Sequence, residues 1–425
     1  MKYDVLVIGG GTAGCACAYM AGKLGLKTLL VEKNSYLGGT MTSSLVTPAM
    51  KTVTSESNNE FYNNLVKNLH AIGGQVTYSD DNKGWFNPEL LKIVLDDMMN
   101  YAKVDVILDS VIEDAKIEDK KIKSVQIGSD LLSVYIETNN IIDATGDANF
   151  SQKINCEFIN KKDELQPNNL RFIMCGIDIN KFTDWIMDFD KDRDVTTSAV
   201  IDGQTHMSTA YTWDTDKKWA LRPFFEDAVK KKILKYKDTS YFQVFTIPGM
   251  PGSLAFNTPR IVFEKEINPL DHIKRSKALQ QGRQSILRIS NFCKTYLLGF
   301  ENAYISSIAN TLGVRVSRRI KGKYIYTIDD LRSGKTFENS CLESNYPVDI
   351  HSNKQNNSVL EKQVQNYSLP IEALMSADYD NLYVIGRCLS ADFQAQAALR
   401  IIPSCFSMGE GIARYIAKSE NLINS

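Results

Sequence analysis

The stretch Val5–Glu32, VLVIGGGTAGCACAYMAGKLGLKTLLVE, decides the fold. Its opening apolar run, Val5 to Ile8, predicts a buried parallel strand. Gly9, Gly11 and Gly14 follow at G-x-G-x-x-G spacing. A small-residue helix is expected from Thr12 to about Leu24, closed by Gly25. A second apolar run, Lys27 to Val31, ends on Glu32. Together these make a βαβ unit with a dinucleotide-binding fingerprint. Gly9 turns the chain off the strand, Gly11 lets a pyrophosphate approach the backbone, and Gly14 lets helix and sheet pack closely. The helix start at Thr12 and Ala13 offers N–H groups and a positive dipole end to phosphates. Glu32 stands about 20 residues past the glycines, where a carboxylate accepts from ribose hydroxyls.

Working outward, the 425 residues allow two or three domains, or one large interrupted one. Hydrophobic residues make up 43% and the formal net charge is -1, so neither a nucleic-acid nor an anionic-membrane partner is implied. No run approaches the ~18 apolar residues of a membrane span. Asp4 and the fingerprint mark the apolar segment after Lys2 as the first strand of the fold, not a signal peptide. The eight cysteines form no disulfide or metal framework, no C-x-x-C relay and no iron–sulfur spacing, which points to a reducing cytoplasm. His70, His206, His272 and His351 are scattered, so no metal is expected.

After Glu32, the segment from Lys33 to Thr40 carries Gly38-Gly39, a pair suited to bring N–H groups near a phosphate or a ring edge. Ser43 and Ser44 add hydroxyls. Asn87-Pro88-Glu89 reads as a helix start. Val104 to Leu108 is expected to be a strand, with Val111 on a short extension. Lys121–Ile127 and Leu131–Glu137 are expected as two more strands around a turn at Gly128-Ser129-Asp130, a β-meander inserted in the Rossmann-like domain. Ile141 to Asp147 reads as a buried strand ending in a small-residue turn. There Ala144 and Gly146 let backbone approach a cofactor, and Asp147 is placed to hold a ribityl or pyrophosphate group.

Residues 156–310 differ in texture. Leu170–Ile177 and Tyr241–Thr246 read as strands and Asp271 to about Leu298 as a helix. Thr183–Ser240 is rich in charge and aromatics, including Trp185, Trp213 and Trp219. This region is expected to be an α+β cap or substrate domain, with residues 1–155 and 311–425 forming a discontinuous binding domain. Tyr324–Thr327, Tyr367–Ala373 and Asn381–Gly386 read as extended. A polar loop or short helix is expected from Arg387 to Arg400, and a last helix from Ile402, with Pro403 and Ser404 at its start.

The motifs GGGTAG, EKNSYLGG, IIDATGDA, NLYVIGRCLSA and ALRIIPSCFSMGEGIA, with LRFIMCGIDINKF, AFNTPRI, QQGRQ and LGVRVSRRIKGKYIYT, resemble the FAD-dependent oxidoreductase family. These are flavoproteins with a glutathione-reductase-type Rossmann domain, distantly related to fumarate reductase flavoproteins. The fold class implied is α/β: an FAD/NAD(P)-binding Rossmann-like domain with an inserted β-meander, plus the α+β cap. The resemblance implies FAD as the nucleotide. It puts Glu32 at the adenosine ribose, the Val111 backbone at the adenine, and Gly146 and Asp147 beside the pyrophosphate. The Ile402–Gly409 helix start goes to the flavin pyrimidine edge, where it stabilises negative charge on reduced flavin. Lys33, Gly386, Arg387, Pro403, Ser404 and Met408 fall in the same motifs and join the expected cofactor contacts. The chain departs from the family pattern at Phe393, where members often carry His, and at Val316, where many carry Glu. No His stands at the Gly39-Thr40 loop, so FAD is expected to be non-covalent.

For chemistry, Arg400 is the first candidate, a bidentate clamp for a carboxylate or carbonyl oxygen set against a structural salt bridge. Arg260 and Arg283 follow, set against ordinary surface pairing. Cys405 reads either as a flavin neighbour or as a small buried apolar residue. His206 and His272 fall in the cap. The expected activity is hydride transfer between flavin N5 and a small organic substrate, with the external electron donor or acceptor unidentified. The alternatives are a non-redox flavin-dependent isomerase or hydratase, and an NAD-binding, thiazole-synthase-like protein or non-catalytic nucleotide-binding subunit.

Overall fold

The computed structural model describes residues 1–52, 58–129, 133–159, 164–212, 219–261, 268–351, 359–360 and 365–423. The fingerprint folds as expected into β1 (Lys2–Ile8), α1 (Thr12–Lys23) and β2 (Thr28–Val31). Glu60–Ala71 forms α2 and Pro88–Tyr101 forms α3. The Asn87 side chain caps α3 by accepting from the Glu89 and Leu90 N–H groups. Then come β3 (Asp105–Ile107), β4 (Val111–Glu118), β5 (Lys121–Gly128) and β6 (Ser133–Asp143).

Two expectations are corrected here. Val111 does not end a short extension; it begins the eight-residue strand β4. In VIEDAKIE only Ile112 is buried, so the strand shows no alternation to read. The two apolar runs around Glu137 and Ile141 are one strand, β6. Asp130 and Leu131, at the expected turn, lie outside the described residues. Along one edge β6 pairs in parallel with β1. Its other edge is shared: Ser133–Glu137 pairs antiparallel with β5, and Ile141–Asp143 pairs in parallel with the later strand Leu382–Val384.

Five strands are therefore parallel, and β1, β6 and Leu382–Val384 finish in register at Ile8, Asp143 and Val384. Ligands of open parallel sheets bind beyond such carboxyl ends. The turns Gly9–Gly11, Ala144–Asp147 and Gly386–Arg387 leave the sheet there.

A second sheet follows: β7 (Phe172–Cys175), β8 (Thr196–Ile201), β9 (Gln204–Thr212), β10 (Tyr241–Thr246), β11 (Leu254–Phe256) and β12 (Tyr304–Ile308). Its order is β8-β9-β10-β11-β7-β12, antiparallel throughout. Trp213 lies outside the described residues. The helix α4 (His272–Tyr296), capped by Asp271, buries Ala278, Ile286, Ile289, Phe292 and Cys293 in this sheet's own core.

The chain then returns to the parallel sheet through β13 (Leu382–Val384), α5 (Phe393–Leu399) and α6 (Ile402–Ser419). Tyr324–Thr327 is not a strand: the Tyr324 N–H donates to Glu372 and the Tyr326 N–H to Ser390, which lie on different segments. Of Tyr367–Ala373, only Tyr367–Pro370 is extended, and Ile371–Ala373 turns as a 3-10 helix. Small residues bring α1 and α6 together; a Cβ on Gly409 would stand 2.2 Å from the Ala13 carbonyl oxygen. Among the described residues no helix is long and apolar enough to cross a membrane.

Candidate functional site

A cavity of about 880 Å³ opens at the carboxyl ends of the parallel strands and reaches the second sheet. At one end it is built from glycine. A Cβ on Gly14 would meet the Gly9 carbonyl oxygen at 1.9 Å, so Gly14 serves the close packing of α1. A Cβ on Gly39 would stand 2.7 Å from the Gly11 Cα, and Gly11 itself faces the cavity. Gly38 lies behind this seam with φ +102°, its N–H donating to the Gly10 carbonyl.

Two helices begin on the same cavity. Neither α1 nor α6 has a side-chain cap or an acid in its first turn. Thr12 and Ala13 line the wall at the first, Ile401, Ile402 and Cys405 at the second. Uncapped N–H groups with a positive dipole end suit anionic and electron-rich ligand groups.

Glu32 is 4% exposed, and the chain itself supplies its donors. The Gly10 N–H donates to one oxygen at 2.7 Å, and the Asn34 N–H and side-chain amide donate to the other at 2.9 and 2.6 Å. Asp143 fixes the next turn, accepting from Thr145 and from the N–H and hydroxyl of Ser151. Asp147 then accepts from Arg387 at 2.8 Å. Burial opposes its ionisation, but the charge and hydrogen bond of Arg387, with Ser317 and Arg275, hold its carboxyl down at about 2.

The far end is built from arginine. Ile261 N–H donates to the Asn168 carbonyl, Leu170 N–H to Pro259, and Gly313 N–H to Asn169. Three segments are thus knitted side by side, and they carry Arg171, Arg260 and Arg315 to one wall. Arg400 joins from the C-terminal end of α5. Arg171 donates to the Thr47 carbonyl at 3.0 Å, and Arg315 to that of Pro167. Arg260 stacks over the Tyr241 ring at 4.4 Å. Burial lowers Arg171 to about 10. Burial, then the charges of Arg400 and Arg260, lowers Arg315 to about 9. A relay of side chains joins two of the four. Arg400 donates to the Asp349 backbone carbonyl at 3.0 Å and lies 3.5 Å from its carboxylate, His351 Nε2 lies 3.2 Å from that carboxylate, and Arg260 lies 3.0 Å from His351 Nδ1. Burial, then the Arg315 charge, pushes His351 down to about 3. Beside them Asn169 donates to Asn257, Asn257 to Gln243, and Tyr241 to Gln243.

Of the sequence-predicted residues, Gly9, Gly11, Thr12, Ala13, Glu32, Lys33, Gly39, Thr40, Val111, Ala144, Gly146, Asp147, Gly386, Arg387, Arg260 and Arg400 line this cavity. Others do not. Arg283 is exposed on α4, off the wall. Pro403, Ser404 and Met408 are buried behind it, because helical periodicity turns Ile401, Ile402 and Cys405 inward instead. His206 is buried away from the wall beside Thr246, and His272 is exposed at the start of α4. The Cys405 thiol is pushed up to about 12 by burial. Arg171, Arg315, Tyr241, Asp349 and His351 were not predicted as site residues; Arg171 and Arg315 stood in noted motifs and His351 was one of the scattered histidines, but no local pattern joins the five.

A family model described as FAD dependent oxidoreductase matches residues 4–421. A stretch of 43 residues is 54% identical to mitochondrial glycerol-3-phosphate dehydrogenase of Rattus norvegicus, covering 10% of this chain and 6% of that protein. A stretch of 82 residues is 32% identical to digeranylgeranylglycerophospholipid reductase of Methanocaldococcus jannaschii, covering 19% of this chain and 21% of that protein. The matches thus span only a small part of these relatives' own lengths. Among solved structures, a geranylgeranyl bacteriochlorophyll reductase-like protein from Thermoplasma acidophilum is 15% identical with a TM-score of 0.48, over 99% of this chain and 79% of that one.

Proposed function

The chain belongs to the FAD-dependent oxidoreductase family, and on that premise we propose that it moves a hydride between the N5 of non-covalently held FAD and a small organic substrate. When bound, FAD supplies the two-electron chemistry; the chain's own residues hold, orient and shield. The observation that carries the reading is one cavity faced by the uncapped starts of both α1 and α6, from opposite ends of the sequence.

In this reading the N–H groups at Gly11–Ala13 take the pyrophosphate. Glu32 takes the adenosine ribose with the lone pairs left by Gly10 and Asn34, and the Val111 backbone meets the adenine. Ala144, Gly146, Asp147 and Gly386 flank the chain of the cofactor, and Arg387 holds Asp147 ionised there. Ile401 and Ile402 present the α6 start to the pyrimidine edge. Residues 1–155 and 311–425 form the FAD-binding domain. Residues 156–310 form the cap, which adds Arg171, Tyr241 and Arg260 to the substrate side. Eight free cysteines suit a cytoplasmic protein.

The test begins with the purified protein, which is expected to be yellow and to release FAD on denaturation. Anaerobic mixing with candidate substrates should then bleach the flavin. Product formed without bleaching and without an external acceptor would make the enzyme an isomerase or hydratase instead.

A further inference from the structure

We infer that the substrate is a carboxylate-bearing organic anion, gripped through its carboxylate by the cluster of Arg171, Arg260, Arg315 and Arg400. This rests on the flavoenzyme reading and adds the substrate class to it.

Four guanidinium groups from separate segments share one wall of the cavity; Arg171 and Arg260 are buried, Arg315 and Arg400 half-buried. Bringing like charges together out of water is unfavourable; Arg315 feels the charges of Arg400, Arg260 and Arg171, and Tyr241 those of Arg260, Arg171 and Arg315. The neighbouring chain compensates them in part. Asp349 supplies one carboxylate, to Arg400. Arg171 and Arg315 reach carbonyl oxygens, which carry no net charge. His351, held neutral, adds no negative charge. The Nε atoms of Arg171 and Arg400 are buried with no hydrogen-bond partner among the described residues. Such a wall is incomplete without a bound anion.

FAD phosphates do not answer this need. The glycine turn and the α1 start meet them at the other end, where Arg387 and Arg275 stand with Asp147. The arginine end faces the polar floor of Asn169, Asn257, Gln243 and Tyr241 instead. Guanidinium forks match a carboxylate in two parallel hydrogen bonds. The Arg400–Asp349–His351–Arg260 relay fixes two of the forks before the substrate enters, so Asp349 and His351 act as positioning residues. A neutral substrate would bring no charge to this wall and would leave the Arg171 and Arg400 Nε groups without an anionic acceptor, which is a strong basis for rejection.

The test uses the FAD-loaded protein at fixed ionic strength. Acetate, malonate, the neutral diamide malonamide and inorganic phosphate are titrated in, and the bound-flavin absorbance is followed. Malonate is expected to perturb the spectrum saturably and to bind about ten-fold or more tighter than malonamide and phosphate. Arg260→Gln and Arg400→Gln should each weaken malonate about ten-fold or more, with FAD content unchanged, and Arg→Lys at the same positions should recover part of the loss. The proposal is overturned if malonamide binds as tightly as malonate, if no carboxylate binds, or if the variants bind malonate normally. Tighter binding of phosphate would assign the cluster to phosphate esters and overturn it as well. A colourless protein that takes up no FAD fails the flavoenzyme reading, a separate outcome.

Discussion

His351 shows how the surroundings of one side chain decide its charge. Its ring sits between the Arg260 fork and the Asp349 carboxylate, and burial together with the Arg315 charge moves it from an ordinary 6.5 to about 3. The folded chain therefore keeps it neutral at pH values where an unfolded chain protonates it. Between those two values the unfolded state binds the extra proton, so stability falls as pH drops through the window, with no effect above 6.5. His351→Gln removes this proton uptake. Between pH 6.5 and about pH 5 the wild type should lose roughly 2 kcal/mol more than the variant, read by urea unfolding at each pH. Parallel slopes in the two proteins would mean that His351 protonates as freely in the fold as out of it. Glu32 shows how a buried polar group is satisfied: three N–H donors of its own chain bond its two carboxyl oxygens.

At the scale of elements, α1 and α6 meet where their residues are smallest. A Cβ added at Gly409 would stand 2.2 Å from the Ala13 oxygen and 2.9 Å from the Cys17 nitrogen, both backbone atoms that cannot rotate away. Gly409→Ala should therefore push the helices apart and destabilise the fold by about 1–3 kcal/mol. Denaturant melts measure this, and retained FAD should fall with it because α6 carries Ile401, Ile402 and Cys405 to the cavity. Unchanged stability would show that the two helices slide without cost. Elements with local chemistry were legible: α3 announced itself through Asn87, whose side chain accepts the expected N–H bonds, and α4 starts at the Asp271 boundary read from the sequence. β4 was not, because solvent meets nearly all of its side chains and no alternation survives. β6 read as two pieces because Thr138, Asn139 and Asn140 interrupt its apolar pattern where the strand changes partners along one edge.

At the scale of the molecule, the two ends of the cavity differ in how they are encoded. The glycine end is local: Gly9, Gly11, Gly14 and Glu32 fall within one βαβ unit, and spacing alone predicts their places. The arginine end is assembled from segments that meet only through long-range pairing, with Asn169 bridging both Gly313 and Arg260, so no window of sequence displays it. Because one cavity is walled by both assemblies, FAD should stabilise both. A ligand that binds only the folded state adds about 2.7 kcal/mol at a hundred-fold excess over its Kd, and about 1.4 kcal/mol more for each further factor of ten. Stripping FAD should lower the melting temperature, and re-adding it should restore the loss in a concentration-dependent way. Hydrogen exchange locates the gain. On FAD addition, protection should rise in β1 and β6 of the parallel sheet and also in β7 and β10, because Arg171 just before β7 and Tyr241 and Gln243 of β10 line the cavity. Protection confined to the parallel sheet would detach the second sheet from the cofactor's wall, and the arginine end would then have to recruit its anion without help from bound FAD.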